Sequence, residues 1–166
     1  WIFDPTPAFS YGINIYLEYK NFDLTMFWQG VQGVDIISDL KKETDLWSGL
    51  NIGFLNKGKR VLDAWSPANP GSDIPALARN DSNNEKRVST YYVENGSFLK
   101  LRNLQVGYNV PKAWAEKIRM ERLRFYLSAQ NLLTIKSKDF TGVDPENVNY
   151  GYPIPLNITF GVNVSF

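Results

Sequence analysis

The 166-residue sequence contains no cysteine and no histidine. Without cysteine there can be no disulfide framework, no thiolate metal ligand and no cysteine nucleophile. Without histidine the chain lacks the commonest general base and the commonest zinc ligand. Acidic pairs such as Asp35 and Asp39 lie in a polar stretch with no sign of a catalytic cleft. We therefore expect no enzyme activity, no cofactor and no metal site.

The sequence also lacks an excess of positive or negative charge, and it lacks long apolar runs. Lys and Arg total 18 against 17 Asp and Glu, with no basic cluster, so we expect no nucleic-acid partner. No run approaches the roughly 20 apolar residues of a membrane helix. Mean hydropathy is −0.30, yet 14% of the residues are aromatic. A membrane β-barrel reconciles these values, because its apolar residues alternate with polar ones and its aromatics gather at the two interfaces.

Strict alternation of apolar and polar residues is the main structural signal. In the first such run, Phe9, Ile13 and Leu17 lie on one face, and Ser10 and Asn14 lie on the other. This period of two is typical of a β-strand with two unlike faces. The pattern predicts strands at about 9–19, 22–30, 98–110, 123–132 and 156–166.

The first two predicted strands are separated only by Lys20 and Asn21. Such a two-residue turn fixes the register of a hairpin, and Asn tolerates the left-handed conformation that the turn requires. A slip of one residue would set apolar side chains opposite polar ones. The predicted pairs are Tyr19 with Phe22, Glu18 with Asp23, Leu17 with Leu24, Ile15 with Met26, and Ile13 with Trp28.

The third predicted strand changes its parity near Arg102 and Asn103, which indicates a β-bulge. Pro111 ends this strand, and residues 112–120 have helical spacing and form a compact connection. Short connections therefore alternate with long loops at about 31–97 and 133–155. Outer-membrane barrels have short periplasmic turns and long extracellular loops. We predict an all-β, antiparallel transmembrane barrel segment whose C-terminus is periplasmic.

A soluble β-sandwich, acting as a glycan-binding module, is the alternative fold, because it would also show alternation. Strands of about ten residues favour a tilted membrane crossing over soluble strands of about 5–6 residues. Aromatic residues also lie near both ends of the predicted strands. These aromatics are Tyr19, Phe22, Tyr108 and Phe166 on one side, and Phe9, Tyr11, Trp28 and Phe98 on the other.

Five strands cannot close a barrel. We therefore expect the remaining strands upstream of Trp1.

Several short motifs occur in a characteristic order. They are Glu94-Asn95-Gly96-Ser97, Gly107-Tyr108, Pro111, Gln130-Asn131-Leu132, Asp144-Pro145-Glu146 and the final Phe166. Two further stretches are YGINIYLEYKNFDLTMFWQGVQG and DAWSPANPGSDIPAL. In these motifs and stretches the chain resembles the C-terminal end of SusC/RagA-type TonB-dependent transporters. Residues 40–62 match no part of the family pattern.

The resemblance implies that residues 1–166 form the last five strands of a large, plugged barrel of about 22 strands. It implies uptake of glycan or peptide oligomers across the bacterial outer membrane, powered through TonB. A passive porin without a plug is a further alternative. The implied partners are the rest of the barrel and its plug, a SusD-like surface lipoprotein, the TonB complex through an N-terminal region, the barrel-assembly machinery and outer-membrane lipid.

Candidate functional residues lie at the chain end and in the long loop. Phe166 resembles the terminal aromatic read by the barrel-assembly machinery, and it would also serve as an interfacial aromatic. Four loop aromatics could contact a substrate or a lid. A long loop also needs apolar residues for its own core, and we favour this second interpretation. These four are Trp47, Trp65, Tyr91 and Tyr92.

The predicted lumen face holds an unfavourable charge pair. Glu18 lies opposite Asp23 in the predicted register, and such a pair requires a nearby cation. Lys100, Arg102, Arg122, Arg124 and the plug are the candidate sources. We predict that Glu18, Asp23, Arg102 and Arg124 face the lumen or the plug. Asp144-Pro145-Glu146 could suggest a cation site, but a turn is the favoured interpretation.

Overall fold

The computed structural model describes residues 3–46, 57–78, 84–85, 87–148 and 152–166. These residues belong to two compact units. The wall unit comprises residues 7–32, 97–136 and 154–166, and the loop unit comprises the described parts of residues 1–6, 33–96 and 137–153. In chain order the elements are β1 (Phe9–Tyr19), β2 (Phe22–Gln32), β3 (Asp35–Ile37), α1 (Asp39–Thr44), β4 (Val93–Asn95), β5 (Phe98–Asn109), α2 (Lys112–Ala115), β6 (Arg122–Lys136) and β7 (Asn157–Ser165).

The wall unit is one antiparallel sheet with the strand order β1-β2-β5-β6-β7. All five predicted strands are present, and the predicted antiparallel order is confirmed. β2 extends to Gln32 and β6 extends to Lys136, beyond the predicted ends at residues 30 and 132. Strands that follow one another along the chain are therefore neighbours in this sheet, an up-and-down meander. The alternation favours this arrangement, because the apolar side chains of neighbouring strands form one continuous face only when the strands pair in matching register.

The β1–β2 register is the predicted one. Tyr19 pairs with Phe22, Glu18 with Asp23, and the other predicted pairs follow. The predicted role of Asn21 is wrong, because the left-handed turn residue is Lys20, with φ of 56°. A residue without a branched Cβ can adopt this conformation in a tight turn. The carbonyl oxygen of Asn21 accepts a hydrogen bond from the Asn109 backbone amide at 2.8 Å, which holds the turn against β5.

The predicted bulge in β5 is confirmed. Leu101 pairs with Trp28 and Asn103 pairs with Phe27, so Arg102 is the extra residue between two ladder pairs. The extra residue brings Leu101 and Leu104 to the same face of the sheet, which explains the change of parity.

β6 carries a matching irregularity that the alternation did not predict. Two of its residues, Asn131 and Leu132, lie opposite the single residue Arg102. Asn131 has a φ of 57°, and its side-chain Nδ2 donates to the carbonyl oxygen of Pro155 at 3.2 Å. Relative to β2, β5 has one extra residue at this site and β6 has two. Because two extra residues preserve the period of two, the apolar pattern of β6 continues with the same parity on both sides. The Gln130-Asn131-Leu132 motif thus supplies a residue type that tolerates the left-handed conformation.

The apolar face of the wall unit is largely exposed on β1, β6 and β7, and partly exposed on β2 and β5. Leu17 is 57% exposed and Phe160 is 68% exposed. A sandwich would bury such a face against a second sheet. A single layer with an exposed apolar face instead requires an apolar environment. Further members of this face are Ile13, Val106, Leu127, Ile158, Val162 and Val164.

The loop unit has its own small sheet and core. β3 pairs antiparallel with β4. α1 begins after Ser38, whose Oγ accepts a hydrogen bond from the Lys41 backbone amide at 3.3 Å. Leu46, Tyr92 and Phe140 are buried here. Among the described residues, no helix has the length and apolarity needed to cross a membrane.

We expect Asn131→Ala to lower the free energy of unfolding of the full-length protein by about 1 kcal/mol, because a Cβ-bearing residue without local side-chain hydrogen bonding disfavours the left-handed conformation. Asn131→Gly loses the same side-chain hydrogen bond but tolerates the conformation, so it is the matched control. Urea unfolding in a fixed detergent measures both variants. Equal losses for Ala and Gly would contradict the backbone explanation.

Candidate functional site

An ion pair crosses the polar face of the wall unit. Asp23 lies in β2 and Arg124 lies in β6, the strands on either side of β5. Arg124 Nη2 lies 2.5 Å from Asp23 Oδ1, and Arg124 Nε donates to Asp23 Oδ2 at 3.0 Å. The two parallel contacts form a bidentate arginine–carboxylate pair, which fixes both side chains in position. Both side chains are largely buried.

Gly107 makes this ion pair sterically possible. It lies in β5, opposite Asp23 on one side and Tyr126 on the other. A Cβ atom at residue 107 would overlap the carboxylate oxygens of Asp23 and the Nη2 atom of Arg124. The ion pair therefore passes over the backbone of β5 at the one position where no side chain intervenes. This contact gives a physical reason for glycine in the Gly107-Tyr108 motif.

Neighbouring polar groups complete the cluster around Asp23. Glu18 lies opposite Asp23, as the predicted register requires, and accepts a hydrogen bond from the Tyr16 hydroxyl at 3.1 Å. Asn109 Nδ2 donates to Asp23 Oδ2 at 3.1 Å. Arg124 also lies over the Tyr126 ring, at 5.6 Å from the centroid. Arg124 thus supplies the cation that the predicted like-charge pair requires, and Asn109 adds a hydrogen bond to Asp23.

The other predicted cations have different partners. Arg102, at the bulge, donates through Nε to Gln29 Oε1 at 2.7 Å. Arg122 donates to Asn109 Oδ1 at 3.2 Å. Lys100 is buried, with its ammonium 5.2 Å from the centre of the Phe98 ring. Of the four candidate cations, Arg124 is therefore the one that binds Asp23.

An open groove lies at the short-turn end of the wall unit. It has a volume of about 530 Å³ and contains both acidic and basic side chains. Mixed charge of this kind suits a folded polar segment better than a single small ion. The lining residues are Glu18, Lys20, Asn21, Asn109, Val110, Pro111, Lys112, Glu121, Arg122 and Ser165.

Two of the four loop aromatics lie in the core of the loop unit. Tyr92 is 1% exposed, and its hydroxyl donates to the Glu85 carbonyl at 2.6 Å. Its ring meets the Tyr91 ring edge-on at 5.1 Å. The Tyr91 hydroxyl donates to Asp45 at 2.7 Å. Burial, reinforced by this hydrogen bond, raises the pKa of Tyr91 well above its ordinary value, so the phenol remains neutral.

Trp65 is 46% exposed, unlike those two tyrosines. Its backbone amide donates to the Ile74 carbonyl at 2.8 Å, and Ser66 and Asn69 form an antiparallel bridge beside it. Asn69 Nδ2 also donates to the Asp63 carbonyl at 3.0 Å. The backbone around Trp65 is thus held in place while its indole ring remains accessible. Trp47, the fourth aromatic, lies outside the described residues.

Asp144 forms a turn. Its Oδ1 accepts the Glu146 amide at 2.9 Å, and its backbone carbonyl accepts the Asn147 amide at 3.0 Å. This is the Asx-type geometry expected of an Asp-Pro sequence.

Phe166 follows β7 and is 88% exposed. It lies beyond the last ladder pair, Arg122 with Ser165.

The chain is similar to TonB-dependent receptors and to the structures of a peptide importer. No protein-family model matches it. TonB-dependent receptors P3 and P26 of Formosa agariphila are 37% and 34% identical to it, over 98% of this chain and 17% of each relative. The RagAB peptide importer matches with TM-scores of 0.79 in its open-open state and 0.78 in its closed-closed state. Both matches have 29% identity and cover 97% of this chain. The chain spans 17% of the length of these relatives.

We expect Arg124→Gln to lower the free energy of unfolding by about 3 kcal/mol, because it leaves the buried Asp23 carboxylate opposite Glu18 without its cation. Arg122→Gln, two residues away in the same strand, is the matched control and should cost less than about 1 kcal/mol. The double variant Asp23→Asn with Arg124→Gln should recover part of the loss. Urea unfolding of the full-length protein measures all three, and equal losses for the two arginines would contradict the role of the ion pair.

Proposed function

This chain belongs, as a segment, to the SusC/RagA-type TonB-dependent receptors, and from that premise we propose that it forms part of the barrel wall of an outer-membrane nutrient importer. The main support is the single-layer sheet, which exposes an apolar face and presents a buried ion pair on the opposite face. A wall between lipid and a polar interior requires these two unlike faces.

In the proposed orientation the apolar face meets lipid, and the Asp23–Arg124 pair faces the barrel interior. The short-turn end lies at the periplasm, together with the C-terminus. The rings of Phe22 and Tyr108 lie together there, with centres 4.8 Å apart and planes inclined by 48°, which supports an aromatic girdle at that end. The long loops at about 31–97 and 133–155 are then extracellular, as expected when short turns are periplasmic.

The rest of the barrel would complete the hydrogen bonding of the sheet. β1 and β7 are the two outermost strands of the described sheet. In hydrocarbon an unpaired strand edge leaves backbone groups without partners, at a cost of several kcal/mol per group. We propose that further strands pair with both edges and that a plug contacts the groove at the short-turn end. The mixed charge of Glu18, Lys20 and Arg122 in that groove supports a protein occupant.

The imported material and the partners follow from the family. We propose that glycan or peptide oligomers are imported with a SusD-like lipoprotein as a lid, and that TonB supplies the energy. The solved relatives are described as a peptide importer, which supports the peptide class. Trp65 is the proposed contact residue for substrate or lid, because its ring is accessible on a fixed backbone. Phe166 is the proposed signal for the barrel-assembly machinery.

TonB-dependent uptake of a labelled peptide mixture tests the proposal, using cells that express the full-length protein with and without TonB. We expect uptake in the presence of TonB and its loss without TonB. Phe166→Ala should lower the amount of folded protein in the outer-membrane fraction, whereas Trp65→Ala should lower uptake at an unchanged amount.

The outcomes separate the alternatives. Uptake that persists without TonB would indicate a passive porin. Recovery of the full-length protein from the soluble fraction without detergent would indicate a sandwich module. Phe166→Tyr is the matched control for the terminal aromatic and should assemble normally, because it retains the ring.

A further inference from the structure

Two separate loops of the chain meet at one carboxylate in the loop unit. Glu94 lies in β4, at the end of the long segment 33–96, whereas Thr141 lies in segment 137–153. The Thr141 backbone amide donates to Glu94 Oε2 at 3.0 Å, and its hydroxyl donates to Glu94 Oε1 at 2.6 Å. A backbone donor and a side-chain donor of one residue therefore hold both oxygens of Glu94.

The charge of Glu94 is compensated from α1. Lys41 Nζ lies 3.1 Å from Glu94 Oε1, and it also donates to the Tyr91 carbonyl at 3.0 Å. The Glu94 side chain is 1% exposed. A carboxylate buried to this degree is stable only while its cation and its hydrogen-bond donors remain in place. Glu94 thus connects α1, β4 and the segment that contains Thr141.

The segment around Thr141 has an apolar anchor as well. The neighbouring Phe140 is 4% exposed. Its ring folds over Gly142, where an added Cβ would overlap it. The Asp144 turn follows directly and orders the next residues. Residues 137–148 therefore form a compact piece that is held by one buried ring and one buried carboxylate.

The network continues away from Glu94 through a second buried carboxylate. Asp45 is 0% exposed and binds the Tyr91 hydroxyl and, at 3.1 Å, Arg60 Nη2. Since Lys41 binds the Tyr91 carbonyl, the two carboxylates share Tyr91 as a link. Residues 57–63 are thereby tied to the same centre as residues 137–148. Buried, satisfied networks of this kind rigidify the elements they join.

We propose that Glu94 latches residues 137–148 onto α1 and β4, so that residues 35–46, 90–95 and 137–148 move as one body. A ligand or partner that contacts one loop would then act on the other through the Glu94 contacts. This inference goes beyond the proposed import function and rests only on the geometry of the loop unit.

Hydrogen exchange of the full-length protein in detergent, followed by mass spectrometry across low urea concentrations, tests the latch. In the wild type, the slowest amides of residues 35–46 and 137–148 should open with the same urea dependence, as one cooperative unit. Thr141→Val should make residues 137–148 exchange about tenfold faster or more and should separate the two dependences. Glu94→Gln should accelerate exchange in both segments.

Two controls make the result specific. Thr141→Ser retains the donating hydroxyl and should restore the wild-type exchange. Thr25→Val makes the same chemical change in β2 and should leave residues 137–148 unaffected. Different urea dependences of the two segments in the wild type would overturn the proposal. Unchanged exchange of residues 137–148 in Thr141→Val would also overturn it. The exchange experiment measures no transport, so its result tests the latch even if the import proposal is wrong.

Discussion

The rest of this structure depends on the hydrogen-bonded pairing of neighbouring strands within a single-layer sheet. In the proposed membrane setting no water replaces a missing partner, so each strand must be hydrogen bonded along its length. The sheet then has two faces in unlike environments, and the period of two in the sequence is the direct consequence. The exposed Leu17 and Phe160 on one face, and the buried Asp23–Arg124 pair on the other, are results of the same constraint.

The same constraint explains where the regular pattern is interrupted. At the β5–β6 irregularity, Arg102 in β5 and Asn131-Leu132 in β6 are the extra residues, and the apolar face continues on both sides of them. At Gly107 a missing side chain lets an ion pair span three strands. The apolar residues that flank the irregularity stay in register across the strands, Leu104 with Ala129 and Leu101 with Leu133.

The wall unit could be predicted largely from its sequence, because register depends on short-range apolar pairing. The predicted hairpin was correct, although the left-handed residue is Lys20, since turn conformation depends on backbone geometry that several residue types tolerate. The role of Gly107 could not be predicted, because its partners come from strands distant in sequence. The loop unit has no periodicity, so neither the exposure of Trp65 nor the binding of Thr141 by Glu94 left a sequence signal. The family resemblance identified the motifs but not these contacts.

The most direct test of the two-faced wall is spin-label accessibility along β7 in the full-length protein, reconstituted in lipid. Because these 166 residues contain no cysteine, single cysteines at Ile158, Thr159, Val162 and Asn163 would each label one defined position in this segment. We predict that labels at Ile158 and Val162 collide with oxygen dissolved in the lipid. Labels at Thr159 and Asn163 should instead be shielded from the lipid. Equal lipid accessibility at all four positions, or the reverse alternation, would contradict the account.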